Sequence, residues 1–394
     1  MNQVGYAVPF TASFRRLLLI LTSSKAYIDL GCIFRYPCGI SNGNKVYPRG
    51  KSILVGLGGL NLSEASSLRT KSLHTKSLLL LKPRGFCAGV VRAIDIVRIA
   101  LEAFGRPIYV RKEIDHNRFV VEELQQKGAI FVDSVDEVPE GERVIYSAHG
   151  VSPEVREASK MRKLRVIDAT CPLVTKVHVE AVKFAKEGYS LILIGHRDHD
   201  EVIGTLGEAP AVTQVVGSPA EVASLTLPDP SRVAYLTQTT LSLDETRDII
   251  AALKKRFPDI KGPAAQDICY ATENRQVAVK HVASDADLLL VVGSDNSSNS
   301  KRLVEVARSL GTPAHLIDDC NNIQSRWLQD VKTVALTAGA SAPEHLVQEV
   351  VEYLARQGFG DVQELEIMPE NVRFGLPPEI VETIAAAPAV AVQS

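Results

Sequence analysis

The chain has 394 residues, 45% hydrophobic and 23% charged, with a net charge of −2, an ordinary globular balance that fits two or three α/β units better than one core. The charge is uneven: residues 1–80 carry ten Lys/Arg and two Asp/Glu, the remainder 34 and 44, so the main body offers no broad basic surface for nucleic acid. No apolar run approaches the ~20 residues of a membrane span, and six cysteines in so long a chain do not read as a disulfide framework; they suit a reducing compartment, with thiols kept for metal or catalysis.

Residues 1–76 read as an extension, disordered or outside the native protein. They are rich in Ser, Gly, Leu and Arg, poor in acid, and show no sustained period. "FRRLLLILTSS" (Phe14–Ser24) resembles a short secretory signal core, with a brief apolar part and a poor cleavage pattern. An organelle transit peptide is the alternative. "GLGGL" (Gly56–Leu60) is followed by no credible helix, so it is not a dinucleotide loop. Cys32 and Cys38 lie in this segment and are assigned no role.

From Leu78 on, short apolar runs alternate with helical patterns. The runs "SLLLL", "PIYV", "AIFVD", "RVIYSA", "LRVIDAT", "SLILIG", "VAYLTQ", "DLLLVVGS", "AHLID" and "TVALTAG" are continuous, not alternating. That predicts strands buried on both faces of parallel sheets. Between them, Val90, Ile94, Val97, Leu101 and Phe104 recur at helical spacing, as do Leu173, Val177, Ala181 and Phe184. Ser242 and Glu245 form a predicted capping box for a helix that stops before Pro258. The class is α/β: a body over 77–378 made of three pseudo-repeated units (about 77–165, 166–265 and 266–367, with segments exchanged between them) and a tail over 379–394.

Three cysteines occupy matching places. Cys87 follows "LLLLKPRGF", Cys171 follows "RVIDAT" and precedes Pro172, and Cys269 follows "AAQDI"; the intervals are 84 and 98 residues, each about one unit. Ligands of such folds sit beyond the carboxyl ends of strands. One such cysteine alone is most often a small buried hydrophobe; three together point to a shared ligand. Zinc favours close CxxC pairs, absent here. Three distant thiolates with no fourth suit an iron–sulfur cluster with one open iron. Cys320, in "IDDCNN", lacks this setting and reads as a spectator.

Polar clusters follow other strands: His116 in "EIDHNRF", His149 in "SAHGV", His196, His199 and Glu201 in "IGHRDHDE", the hydroxyls of "TQTT" (Thr237–Thr240), Ser297, Ser298 and Asn299 in "DNSSNSKR", and Ser341 in "TAGASAP". Small hydroxyls and backbone N–H groups at helix starts suit a phosphate. Helix capping explains the same residues without a ligand, and it is the better reading of Ser341 alone. The five small polar residues of "NSSNS" favour an anion. An open-iron cluster, a diphosphate-sized cradle and a carboxylate describe reductive chemistry on a small phosphorylated molecule.

The ordered series "PRGFCAGV", "HNRFVVEEL", "SAHGVSPEVR", "DATCPLVTKVH", "TQTTLSLDET", "DICYATENRQ", "GSDNSSNSKRL" and "TAGASAP" resembles the motifs of the 4-hydroxy-3-methylbut-2-enyl diphosphate reductase family, from about Leu79 to Pro378. The resemblance implies a cloverleaf of three α/β units around a central iron–sulfur cluster. It implies one [4Fe-4S] cluster held by Cys87, Cys171 and Cys269. It implies diphosphate binding by His116, His149, Ser297, Ser298, Asn299 and Ser341 with His199 nearby, contact of Thr239 with the substrate hydroxyl, and proton relay by Glu201. The implied reaction is the last step of the methylerythritol phosphate route, giving isopentenyl and dimethylallyl diphosphates, with a ferredoxin or flavodoxin as electron donor. The family stretch is His-Pro-Glu where this chain has His199-Asp200-Glu201. No nucleic-acid or membrane partner is expected. A cytoplasmic location is expected, or a plastid one should residues 1–75 be a transit peptide. The alternative function is an iron–sulfur electron carrier or redox sensor, which needs no diphosphate cradle; a third is a zinc-stabilised binding protein.

Overall fold

The computed structural model describes residues 76–386; the expectations for residues 1–75, with Cys32 and Cys38, lie outside them. The strands are β1 (Ser77–Lys82), β2 (Ile108–Arg111), β3 (Ala129–Val132), β4 (Arg143–Tyr146), β5 (Arg165–Asp168), β6 (Ser190–Ile194), β7 (Thr213–Val216), β8 (Val233–Thr237), β9 (Leu288–Val292), β10 (Ala314–Ile317), β11 (Thr333–Ala338) and β12 (Asp361–Glu366). The helices are α1 (Ala88–Phe104), α2 (Arg118–Gln126), α3 (Pro153–Met161), α4 (Pro172–Lys186), α5 (Asp200–Glu208), α6 (Pro219–Val222), α7 (Leu243–Arg256), α8 (Tyr270–Val282), α9 (Ser298–Ser309), α10 (Glu344–Arg356) and α11 (Pro378–Ala386).

The strands form three sheets, ordered β10-β9-β11-β1-β12, β3-β2-β4-β5 and β7-β6-β8, and every pairing is parallel. The apolar runs explain this: all five residues of β6 and of β9 are buried, as in strands covered by helices on both faces. β1 does not join β2–β5. It lies between β11 and β12, with Leu78 opposite Val334 and Val362. Cores form on both faces of the sheets, as with Val97, Ile108 and Ile145 beside the four-stranded one.

Two strands escape the apolar-run criterion. β7 offers only two apolar residues, and β12 is a polar edge, exposed at five of six positions. "AAQDI" before Cys269 is irregular backbone, tied to β8 by Thr237 N–H donating to Asp267 Oδ2 at 2.9 Å, so Cys269 does not follow a strand. Half of the expected capping box forms: Ser242 Oγ accepts from Glu245 N–H at 3.4 Å, while the Glu245 carboxylate turns to Arg302. Residues 379–386, expected as tail, are helical, and Ile380 is fully buried in the core beside α1. Among the described residues no helix is long and apolar enough to cross a membrane.

Candidate active site

Parallel sheets direct strand C-termini, and the following helix N-termini, to one side. Cys87, Cys171 and Cys269 are the N-caps of α1, α4 and α8, in extended backbone, and none makes a side-chain cap hydrogen bond. Three caps thus replace the usual Ser or Asp with a thiol. His199 caps α5 and Ser297 caps α9. One cavity is lined by all twelve sequence-designated residues: Cys87, Cys171 and Cys269; His116, His149 and His199; Glu201 and Thr239; Ser297, Ser298, Asn299 and Ser341. Cys320 lies outside it, against the core of the five-stranded sheet, and His196 is not among its walls.

The sulfur end suits a cluster. Gly89 leaves room between two sulfurs: a Cβ there would stand 2.8 Å from Cys171 Sγ and 3.7 Å from Cys87 Sγ. Burial first, then the other thiols of the trio, pushes Cys87 up to about 12; burial also pushes Cys171 up to about 11 and raises Cys269. Such thiols ionise only beside strong positive charge, which metal supplies. Among the described residues no three His, Cys, Asp or Glu side chains converge tightly enough for a single ion. The cysteine ligands of a cluster each take a separate iron and need not converge on one point. The helix N-termini add favourable dipoles for an anionic centre.

Three imidazoles gather at the polar end. His116 stacks on His149 with centroids 4.2 Å apart, and His199 meets them edge-on at 5.5 and 5.7 Å. Glu113 Oε2 lies 3.4 Å from His116 Nδ1 and accepts from Asn296 Nδ2 at 2.7 Å. His116 Nε2 is buried without a partner. His199 Nδ1 accepts from Glu201 N–H at 3.2 Å, which leaves the proton on Nε2. Burial and the neighbouring rings hold His149 well below the usual imidazole range and His199 at about 3.

Hydroxyls complete the cradle. Ser341 Oγ and Ser300 Oγ both reach Ser297 Oγ, at 3.1 and 3.0 Å. Ser341 does not cap its helix: the N-cap of α10 is Pro343. Asn299 Oδ1 accepts from Ala340 N–H at 2.9 Å, and its Nδ2 donates to Thr272 Oγ1 at 3.2 Å. Thr272 Oγ1 lies 3.2 Å from Cys269 Sγ, so the sulfur and hydroxyl ends are continuous.

Glu201 is buried between these ends. Thr239 donates to it twice, from N at 2.7 Å and Oγ1 at 3.0 Å, and Cys269 N–H donates to Thr239 O at 3.0 Å. Burial outweighs those hydrogen bonds and raises the carboxyl to about 7, where a group can give and regain a proton near neutrality. Asp200 takes the first position of α5. An acid there suits the helix dipole, so the start that proline would give is kept.

The residue-by-residue reading missed Asp115, Tyr270, Thr272 and Phe374, which also line the cavity. The first three lie within three positions of a designated residue. Phe374 belongs to an aperiodic C-terminal stretch, and nothing local marks it.

The family model described as LytB protein matches residues 78–355. The 4-hydroxy-3-methylbut-2-enyl diphosphate reductase of Acidothermus cellulolyticus is 54% identical over 315 residues, covering 80% of this chain and 93% of the relative. That of Leifsonia xyli is 55% identical over 311 residues, covering 79% and 92%. The solved E-1-hydroxy-2-methyl-but-2-enyl-4-diphosphate reductase of Plasmodium falciparum superposes with a TM-score of 0.77 at 43% identity, covering 79% of this chain and 98% of that one. Sheets, helices and motif order agree with these matches, and the chain belongs to the LytB family.

Proposed function

We infer that the chain reduces (E)-4-hydroxy-3-methylbut-2-enyl diphosphate to isopentenyl and dimethylallyl diphosphates, the last step of the methylerythritol phosphate route. Its relatives carry the name of that reductase. The supporting observation is one cavity with three N-cap cysteines at one end, three clustered imidazoles at the other, and Glu201 between. An electron carrier would need only the first of these. The reaction takes two electrons and two protons and expels the hydroxyl as water.

Cys87, Cys171 and Cys269 are the residues that would hold a [4Fe-4S] cluster. When bound, it supplies the electrons and a Lewis-acidic iron free of protein ligands. The chain's own residues do the rest. His116, His149 and His199, with Ser297, Ser298, Asn299 and Ser341, bind the diphosphate as charge-assisted donors. Thr239 Oγ1 orients the substrate hydroxyl. Glu201 holds a proton at a carboxyl oxygen and delivers it to the departing oxygen, because hydroxide is a poor leaving group unless protonated. The body over 77–378 works as three units. A ferredoxin or flavodoxin supplies the electrons, and the cytoplasm is the assigned compartment; the four cysteines of the described residues are free thiols.

Anaerobic purification followed by iron and sulfide analysis and substrate turnover tests this reading. The expected protein is brown, with about four irons per chain and reductase activity. Cys171→Ser should lose the cluster. Glu201→Gln should keep cluster and binding and lose about 100- to 10,000-fold in turnover. A colourless zinc protein overturns the cluster, and normal turnover by Glu201→Gln overturns the proton role.

A further inference from the structure

The segment 367–377 runs from β12 to α11 and is linked to all three cysteine sites, directly at the Cys87 loop and through Arg275 and Arg92 at the other two. It starts beside Cys87: Ile367 N–H donates to Lys82 O at 2.9 Å, at the entry to the Cys87 loop. Glu370 then meets Arg275, a fully buried guanidinium on α8, with Nη1 and Nη2 at 3.1 and 3.2 Å from its two oxygens. Arg275 Nη2 also donates to Gly85 O at 2.6 Å and Nη1 to Ala271 O at 2.9 Å. One side chain thereby joins the Cys87 loop, the Cys269 helix and the C-terminal segment. A second arginine covers the remaining loop. Arg92 on α1 donates from Nε to Gly375 O at 2.6 Å, and from Nη1 to Ala169 O and Thr170 O, both at 3.1 Å, just before Cys171. Between these anchors Phe374 forms part of the cavity wall, and Leu376 packs on the core beside α1. The segment lies outside the residues matched by the family model.

We propose that residues 367–377 are a strap that covers the cysteine cavity with Phe374 and, through Glu370–Arg275 and Gly375–Arg92, fixes the three cysteine loops relative to one another; Arg275 and Arg92 are positioning residues. A buried guanidinium is costly unless paired and fully hydrogen-bonded. Glu370 and the carbonyls of Gly85 and Ala271 satisfy both terminal nitrogens of Arg275, leaving only its Nε without a partner. Tyr270 reinforces the junction, its hydroxyl accepting from Ala88 N–H at 3.1 Å. The strap's effect on a cluster rests on the preceding functional reading; its effect on the thiols does not.

Glu370→Gln, which keeps the shape and removes the charge, and Phe374→Ala, which opens the wall, test the strap in the full chain. In metal-free, reduced protein, iodoacetamide alkylation of each cysteine is followed by peptide mass spectrometry. Cys87, Cys171 and Cys269 should react at least fivefold faster in both variants while Cys320 keeps the parental rate. In the reconstituted protein, Glu370→Gln should raise the midpoint potential at unchanged iron content, because the anion screening Arg275 is gone; loosened packing alone predicts no such shift. Parental alkylation rates at all three thiols, or acceleration of Cys320 to the same degree, overturn the strap. An unchanged potential overturns the Arg275 pairing as an influence on the centre. Failure of the parent to take up any cluster overturns the functional reading instead, and the alkylation result still decides the strap.

Discussion

Glu201 and Asp115 are both raised by burial to about 7, but their surroundings differ. Thr239 satisfies Glu201 from two atoms, whereas Asp115 Oδ2 is buried without a partner beside His116. Glu201 is thus held in place to pass a proton, and Asp115 adds negative charge to the cavity above pH 7. The histidines shift the other way. With burial holding His149 and His199 far below neutrality, both rings are neutral at pH 7 in the empty cavity. An anion favours their charged forms, so the expected outcome is proton uptake on binding and an affinity that rises as pH falls. Calorimetric titration with inorganic diphosphate at pH 7.5, in buffers of different ionisation enthalpy, should show net proton uptake; buffer-independent heats would mean that the rings stay neutral. Asp115→Asn should weaken the loss of affinity above pH 7. At this scale the sequence was informative wherever a reactive side chain stood at a strand end. Asp115 was overlooked because its significance is its lack of a partner, which only packing reveals.

Among the elements, α1 shows how closely local sequence is tied to the site. Its cap is Cys87 and its second residue is Gly89, the only side chain size that clears Cys171 Sγ. Gly89→Ala would drive a Cβ to 2.8 Å from that sulfur. Helix propensity favours alanine by about 1 kcal/mol, so the variant should fold while its site is forced open. The expected result is a near-parental melting temperature with much reduced iron per chain; full iron content would show that the cysteine loops yield easily. Ten of the twelve strands among the described residues were legible because β-branched and leucine runs are what doubly covered strands require. β12 was not legible: its partner β1 supplies the apolar contact, so its own residues stay polar. Cys269 lines the same cavity as its two counterparts although no strand precedes it, and the helix start that follows carries the local signal.

In the whole molecule, each of the three cavity cysteines stands where the chain passes from one sheet to another. α1 leads from the five-stranded to the four-stranded sheet, α4 from there to the three-stranded sheet, and α8 back to the first. The sheets are also clasped directly. Glu208 on α5 accepts from Arg156 of α3 at 2.7 and 2.9 Å and lies 2.8 Å from His178 Nδ1 of α4, and the His178 ring approaches both Gly150 and Gly204. Glu208→Ala should cost about 1–3 kcal/mol by stranding these donors, read as a lower melting temperature; an unchanged one would show that packing alone joins the two sheets. No local pattern in the sequence discloses this clasp, since its members lie 30 and 52 residues apart. The setting of β1 bears on how the protein is made. Its partner Thr333 lies 256 residues beyond Ser77, roughly 10–50 s of synthesis at ~5–20 residues per second. The first of the described strands to leave the ribosome must therefore wait, without its partners, for nearly the last of them, and a chain stalled before β11 would expose the sticky centre of the largest described sheet to chaperones and proteases.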